Sequence, residues 1–485
     1  MSVHRREGEP RPRRFLVMHG PRACTKMTGF NRDIDTLERA VKERVFFVKT
    51  HDGFMPTPQP SIDIPASLTS YVEALRPNLP STAPLHPHQF VETFTGRKRA
   101  MYERVLYTKW HEGICAMDAQ ITPFVKYEKV DLNLKADPVP RVVSPRKPKY
   151  NIALGRFLRP IEEEIFKAIG FAFGGKTVMK GYDAFTQASI IREAWEEFTD
   201  PVAFGLDASR FDQHVSRDML KWEHSVYLEC FPCKSDKIEL AMLLNMQLDN
   251  VCEASLPDGT LRYTTNGVRM SGDMNTSLGA CLIMCGVVYA YQPGCRYRLI
   301  NNGDDCVIIT ERSDLCKFDN ISTHFSKHGF TLVREEVVDV FEKIEFCQTQ
   351  PILTSGGWFM CRKPQALMSK DHVCLQYRSS KEFKVWLRSI GSVRGVFTGV
   401  PCHGRVYNAF YNHGAEGKTR KDDTTWSFKH LYQKTNKTTG VISDSTRYSY
   451  YLAFGILPEE QVAIEQAYDS IEWGESGGFD LPGIS

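Results

Sequence analysis

The hydrophobic and polar positions are most clearly segregated around residue 300, where two short apolar runs flank a polar turn. Arg298-Leu299-Ile300 and Cys306-Val307-Ile308-Ile309 are aliphatic, β-branched runs, and Asn302-Gly303 between them provides the φ > 0 residues of a tight primed turn, which predicts a hairpin. Two adjacent carboxylates, Asp304 and Asp305, stand at its tip. Elsewhere the period is helical: from Asp33 to Arg44, through "FTGRKRAMYERVLYTKW" (94–110), from Leu154 to Ile169 and from Phe185 to Phe198. "RVFFVKT" (44–50) is strand-like, the Pro-rich stretch from Pro56 to Pro87 reads as an extended connector, and Thr122 to Tyr150 reads as loop. Strand, helix and hairpin patterns concentrate between Pro201 and Ile309, and beyond Gly356 the chain turns helical and aromatic, placing boundaries near 200 and 355. The longest apolar run, "LGACLIMCGVVYAY" (278–291), is too short to span a bilayer and predicts a buried helix.

Composition narrows the class. With 485 residues, 42% hydrophobic and 25% charged, the chain is globular and long enough for two or three subdomains. Its net charge of +3 conceals an asymmetry: seven acids and no Lys or Arg lie beyond Arg447, leaving +10 on residues 1–447. Arg5-Arg6, Arg11, Arg13-Arg14, Arg97-Lys98-Arg99, Arg146-Lys147-Lys149 and Lys418-Arg420-Lys421 are basic clusters that fit a polyanionic partner, or else a set of solvated faces. The fourteen cysteines are scattered and give no disulfide framework. Cys230-Phe-Pro-Cys233 lacks a second CxxC, which favours unlinked thiols. His324 and His328 have i, i+4 spacing without a Glu beside the first, which favours a helix surface over zinc, and His86-Pro-His88 reads as loop. The Arg-rich beginning lacks the apolar region of a secretory signal, so a reducing, cytosolic setting is expected.

Gly-Asp-Asp arises by accident in roughly one chain in ten of this length, so the hairpin tip decides nothing alone. Upstream, "AFGLDASRFDQHVS" (203–216) has the form of a strand ending in Asp207, with Asp212 beyond it. A carboxylate at the end of a buried strand requires a cation or hydrogen bonds to compensate it, although a lone Asp207 also fits as a helix cap. "RMSGDMNTSLGACLIM" (269–284) is a Ser-Gly loop running into the apolar helix, either a simple cap or a way of bringing backbone and hydroxyls to a nucleotide or template strand. Together the three segments have the spacing of a polymerase palm, where carboxylates converge from adjacent strands. Like charges so placed resist full ionisation unless divalent cations bind. Hard oxygen donors select two Mg²⁺, with Mn²⁺ as substitute, and not zinc. Asp207 and Asp304 are assigned to both metals and Asp305 to a supporting position, for two-metal nucleotidyl transfer.

These residues resemble the RNA-dependent RNA polymerases of positive-strand RNA viruses, of the Tombusviridae-like branch. "GLDASRFDQHVS", "SGDMNTSLGACLIM" and "NNGDDCVII" are similar to motifs A, B and C, "FCQTQPIL" (346–353) to motif E, "PRVVSPRKPKYNIALGRFLRPIE" (140–162) to the basic finger motif and "FTGRKRAMYERV" (94–105) to a segment ahead of it. "YSYYLAFGI" (448–456) is a weaker echo. The resemblance implies an α+β right hand whose antiparallel palm sheet packs on helices: an N-terminal arm and fingertip-like extension over 1–60, fingers over 61–200, palm over 201–355 with a fingers insertion around 222–265, and thumb over 356–485. It also implies RNA template and nascent RNA, ribonucleoside triphosphates, and initiation without primer. Carried over, Asp212 senses the ribose 2′-hydroxyl, Ser271, Gly272, Asn275 and Thr276 help hold the nucleotide, and Arg141 contacts the triphosphate, while Lys126, Lys129 and Arg146 are either further phosphate contacts or solvated loop charges. Phe346, Cys347 and Gln348 lie beside the nascent strand.

Two positions depart from the family. Ala280 stands where motif B usually has Asn, which shifts sugar discrimination onto Asp212 and Thr276 and loosens it. The motif D segment "HGFTLVREEV" offers Arg334 where a Lys commonly donates a proton, and Arg is a poor general acid. The resemblance further implies other viral replication proteins and host factors as partners. It places the chain in host cytoplasm, with any membrane-associated replication complex reached through a partner or an upstream extension, since the sequence has no membrane segment of its own. A noncatalytic RNA-binding scaffold and a reverse transcriptase or DNA polymerase are the competing readings. The first has no reason to keep uncompensated acids, and the second differs in sugar choice.

Overall fold

In the computed structural model, residues 1–10, 13, 15–18, 26–375, 379–418, 431–432 and 440–471 are described. Of the charged clusters read above, Arg11, Arg14, Arg420, Lys421, Glu472, Glu475 and Asp480 lie outside the described residues. The chain opens with strands β1 (Ser2–Arg5) and β2 (Phe15–Val17) and helix α1 (Ile34–Val41), whose N-cap Asp33 side chain accepts from the Thr36 N–H. Helices α2 (Gly96–Lys109), α3 (Pro148–Leu158), α4 (Glu162–Ala172) and α5 (Ala184–Glu196) follow. Then come β3 (Pro201–Ala208), α6 (Arg217–Glu229), the hairpin β4 (Asp249–Leu256) and β5 (Gly259–Asn266), and α7 (Thr276–Tyr291). A second hairpin, β6 (Tyr297–Asn302) and β7 (Asp305–Glu311), precedes β8 (Leu332–Arg334). A third, β9 (Thr349–Thr354) and β10 (Gly357–Arg362), leads through β11 (Val373–Leu375) into helices α8 (Ser380–Gly391), α9 (His403–His413), α10 (Asp444–Phe454) and α11 (Pro458–Asp469).

The central sheet has the order β6-β7-β3-β8 with every pairing antiparallel. Side chains alternate between its faces, and each face joins a different core. Phe204, Leu206, Leu299 and Ile308 pack with Leu282, Ile283 and Val287 of α7, whereas Ala203, Ile300, Val307 and Ile309 pack with Ile190 and Ile191 of α5 and with Phe359 and Met360 of β10. Burial on both faces is why these strands read as unbroken aliphatic runs, each fully buried side chain contributing about 1.5–3 kcal/mol. α7 is apolar all round because it sits inside the first core, and no helix among the described residues is long and apolar enough to cross a membrane.

The N-terminal segment joins distant parts of the chain. β1 adds to the β4–β5 hairpin, giving the order β1-β5-β4, and β2 pairs with β11. Several local expectations change. The Pro56–Pro87 stretch is not simply extended: it contains helices Ile64–Ser67 and Thr69–Leu75, which bury Ile64, Tyr71 and Leu75, with Leu68 buried between them. His86 caps the helix Pro87–Glu92. The helical period from Leu154 to Ile169 is two helices broken at Pro160, and the strand expected over 44–50 begins only at Phe47, after a π-helical turn over Lys42–Phe46. His328 is buried and the His324 ring stands 4.5 Å from it, so this pair packs inward and is no helix surface. Burial holds the His324 imidazole down at about 4. Cys230 and Cys233 are both free thiols.

Candidate active site

Pairing of β7 with β3 sets Asp305 directly opposite Asp207, which puts their β-carbons about 5 Å apart. The hairpin closes with Asn302 paired to Asp305 around a two-residue loop, Gly303-Asp304. Gly303 has φ +83, and Asn302 belongs to the strand, so the positive φ required by the primed turn falls on the glycine alone. Asp207, Asp304 and Asp305 are exposed although Leu206 and Cys306 beside them are buried. The register thus brings Asp305, rather than Asp304, face to face with Asp207, and leaves Asp304 at the tip. Asp207 caps no helix: the helix Phe211–His214 follows Arg210, held at φ 50 without a side-chain cap.

Crowding against protein pushes the Asp305 carboxyl up to about 6, with the charges of Asp304, Asp207 and Glu345 acting in the same direction and the Cys347 thiol opposing them. A divalent cation would relieve this repulsion, and the carboxylate donors suit Mg²⁺ or Mn²⁺. Among the described residues no three carboxylates, imidazoles or thiols close into a ready cage. Mg²⁺ bound by one or two carboxylates, water and substrate phosphates needs none.

Asp212 lies half-buried beyond β3, and its carbonyl accepts the Arg269 N–H at 3.0 Å. Burial raises its carboxyl to about 7, with Arg269 and Arg141 pulling it down and Asp304 and Asp273 pushing it up. The loop before α7 is stitched to the basic segment, since the Ser144 N–H donates to the Ser271 carbonyl at 2.7 Å. Gly272, at φ +130, has Pro145 and Ser144 backbone atoms 3.2 Å from where a β-carbon would stand, so only glycine fits there. The Thr276 hydroxyl donates to the Met270 carbonyl at 3.1 Å.

Three residues expected on the nucleotide are otherwise engaged. Arg146 is buried: its guanidinium is bidentate to Asp273 and donates also to Asn250 at 2.7 Å and to the Ala119 carbonyl at 2.9 Å, so it braces the loop and does not face a phosphate. Asn275 is fully buried, donating to Glu223 at 2.8 Å and accepting from Gln247 at 2.8 Å. Lys129 is buried with its ammonium 5.6 Å from the Trp386 ring. Lys126 and Arg141 do reach solvent, both held by Glu128 at 3.5 Å and 3.2 Å. Arg334 pairs with Asp319 at 3.0 Å over the Phe204 ring.

Phe346 and Thr349 exchange backbone hydrogen bonds at 2.9 and 3.0 Å around Cys347-Gln348, and the amide of Asn302 donates to the Cys347 sulfur at 3.1 Å. The residues read as motif E are therefore brought against the Asp304-Asp305 hairpin, with Phe346 buried and Gln348 exposed. Sequence reasoning missed Lys180, whose ammonium donates to Asn302 Oδ1 at 2.6 Å. It also missed the buried Arg269–Glu223 pair beneath the Ser271 loop. The second had a signal, a basic residue two positions before Ser271. The first had none, because the Thr177–Met179 segment meets Asn301 only through tertiary pairing.

A family model described as viral RNA dependent RNA polymerase matches residues 1–475. The chain belongs to the viral RNA-dependent RNA polymerase family. Within this polymerase family it is 42% identical to the RNA-directed RNA polymerase of Oat chlorotic stunt virus (isolate United Kingdom), over 95% of this chain and 66% of that protein. It is 38% identical to that of Tobacco necrosis virus (strain D), over 95% of this chain and 67% of the relative. Identity to the RNA-directed RNA polymerase of Turnip crinkle virus is 34%, over 98% of this chain and 63% of the relative. The chain thus spans about two thirds of the length of these viral polymerases.

Proposed function

We propose that the chain carries out RNA-templated RNA synthesis, joining the 3′-hydroxyl of a growing strand to the α-phosphate of an incoming ribonucleoside triphosphate with release of pyrophosphate. The observation that carries this reading is the direct opposition of Asp207 and Asp305 with Asp304 at the adjoining tip. Asp207, Asp304 and Asp305 would hold two divalent ions, which when bound supply Lewis-acid activation and charge neutralisation at the reacting phosphate. Arg141, whose charge acts on the Asp212 carboxyl, and Lys126, which shares the Glu128 carboxylate with it, bind the triphosphate. Asp212 and the Thr276 hydroxyl contact the ribose. Ala280 brings only a methyl group to the turn, 3.8 Å from a β-carbon position at Gly303, and leaves the ribose one hydrogen-bond partner short.

In this reading the parts form a right hand, with arm over 1–60, fingers over 61–200, palm over 201–355 with an insertion around 222–265, and thumb over 356–485. Attachment of β1 to the insertion hairpin and of β2 to β11 supports an arm that bridges fingers and thumb. Synthesis begins without primer, in host cytoplasm, with any membrane-associated replication complex reached through a partner or an upstream extension. The test is incorporation of ribonucleotides by the purified chain on a short RNA, with and without chelator. Incorporation that persists in chelator refutes the metal site, and none under any metal condition refutes the activity.

A further inference from the structure

Between β5 and the Ser271 loop the backbone takes a conformation that a valine resists. Gly267 and Val268 have φ of 76° and 69°, and a β-branched residue stays in the left-handed region only where its surroundings enforce it. The enforcement comes from the segment after β3: the Val268 N–H donates to the Val215 carbonyl at 3.1 Å and the Arg269 N–H to the Asp212 carbonyl at 3.0 Å. The bend thus ties the Asp212 turn to the Ser271 loop, and the Arg269 side chain at its end is fully buried.

Glu223, on α6, meets that guanidinium and is equally buried. Among the described residues it is the one hydrogen-bond partner of the Arg269 side chain, whose Nε and Nη1 have none. Its two oxygens serve different segments: Oε2 accepts from Arg269, whereas Oε1 accepts from the Asn275 amide at 2.8 Å and from the Tyr227 hydroxyl at 2.6 Å. Asn275 is fixed from its other side, because its Oδ1 accepts from Gln247 Nε2 at 2.8 Å, and half a turn of the amide would set that oxygen against the Glu223 carboxylate. Asn275 immediately precedes α7, and its carbonyl accepts the Gly279 N–H at 2.7 Å, so its orientation fixes where Thr276 begins the helix. Gly279 makes room for the ion pair, since a β-carbon there would overlap Glu223 Oε1 and Arg269 Nη2.

We propose that Glu223 is a positioning residue for sugar recognition: one buried carboxylate fixes the separation of Asp212, reached through Arg269, from Thr276, reached through Asn275. This rests on Asp212 and Thr276 contacting the ribose. A buried ion pair adds little net stability over apolar residues of similar volume, so what this pair contributes is the placement of the two segments it joins. Displacing a substrate-positioning group by about 1 Å can cost on the order of a hundredfold in rate. The buried pair is therefore a determinant of the choice between ribose and deoxyribose, although it lies beneath the nucleotide and touches no part of it.

The test is kcat/KM of the full chain for GTP and for dGTP, with stability followed by urea unfolding. Glu223→Gln is expected to lower the GTP value about tenfold and the dGTP value, which involves no 2′-hydroxyl, by less than about twofold, so that the ratio between them falls. Combining Glu223→Gln with Arg269→Met removes both charges, keeps folding independent of a stranded ion, and should lower the ratio to the same extent. Tyr227→Phe takes a bond from the same carboxylate without touching either loop, and should lower the urea midpoint while leaving the ratio in place. Asp212→Ala is the control and should lower the ratio directly. A ratio unmoved in the double variant, or losses shared equally by GTP and dGTP, overturns the positioning role if Asp212→Ala still lowers the ratio. A fall as large in Tyr227→Phe also contradicts it, since destabilisation alone would then suffice. An unmoved ratio in Asp212→Ala overturns the ribose reading itself.

Discussion

Arg146 and Asp273 form a buried, bidentate ion pair that ties the basic segment to the Ser271 loop. A side chain that reads from sequence as a phosphate contact thus serves to brace the loop. Arg146→Ala would strand Asp273 and Asn250, and is expected to cost about 3–5 kcal/mol of stability. Arg141, exposed beside Glu128, should behave oppositely: Arg141→Ala raises the KM for nucleotides and changes stability by less than about 0.5 kcal/mol. Urea unfolding of both variants alongside nucleotide titrations checks the contrast, and similar stability losses in the two would contradict it.

Asp212 makes the stability of the metal-free chain depend on pH. Its folded carboxyl titrates near 7, above the ordinary value of 3.8, so between those values the folded state retains a proton that the unfolded state has released. The sign follows: this group favours folding at low pH, and its contribution is lost as pH rises from about 4 through 7, at up to about 1.4 kcal/mol per pH unit. Asp212→Asn should therefore become stable relative to the unaltered chain as pH rises. Parallel unfolding curves at pH 5 and pH 7.5 in chelator measure the difference, and a gap that does not widen with pH is evidence against a raised Asp212 carboxyl.

Ala280 sits against the Gly303 turn with only 7% of its surface exposed. Ala280→Asn would add an amide where the ribose is proposed to lie, and discrimination against deoxyribonucleotides should increase about tenfold or more, because polar contacts to a hydroxyl discriminate strongly. Competition between GTP and dGTP for incorporation reports it. No change would mean that position 280 does not face the sugar.

Gly272 allows the loop to lie against Pro145. Gly272→Ala places a methyl group 3.2 Å from that backbone at φ +130 and should reduce incorporation without loss of RNA affinity, as the loop is displaced. Fluorescence anisotropy with a labelled RNA separates the two effects.

How much of this was legible in the sequence depended on whether the signal was local. The unbroken aliphatic runs around Asp304-Asp305 and before Asp207 marked the central strands, because both faces of that sheet are buried. Register was invisible: nothing local says that Asp207 meets Asp305 and not Asp304, since pairing is set by two cores that form only on folding. Burial of charge was equally hidden. Lys129, Arg146 and Asn275 look like surface chemistry until Trp386, Asp273 and Glu223 arrive from other segments. The Pro56–Pro87 stretch misled because prolines such as Pro65 and Pro87 sit in the first turn of a helix, where they start structure instead of interrupting it.

The most direct test of the central claim is primer-independent synthesis on a short RNA by the unaltered chain, Asp207→Asn and Asp304→Ala, each with Mg²⁺ and with chelator, alongside RNA affinity. The account predicts product only from the unaltered chain with Mg²⁺, a loss of at least about a thousandfold in both variants, and equal RNA affinity in all three. Product from either variant at a rate near that of the unaltered chain, or product in chelator, would contradict it.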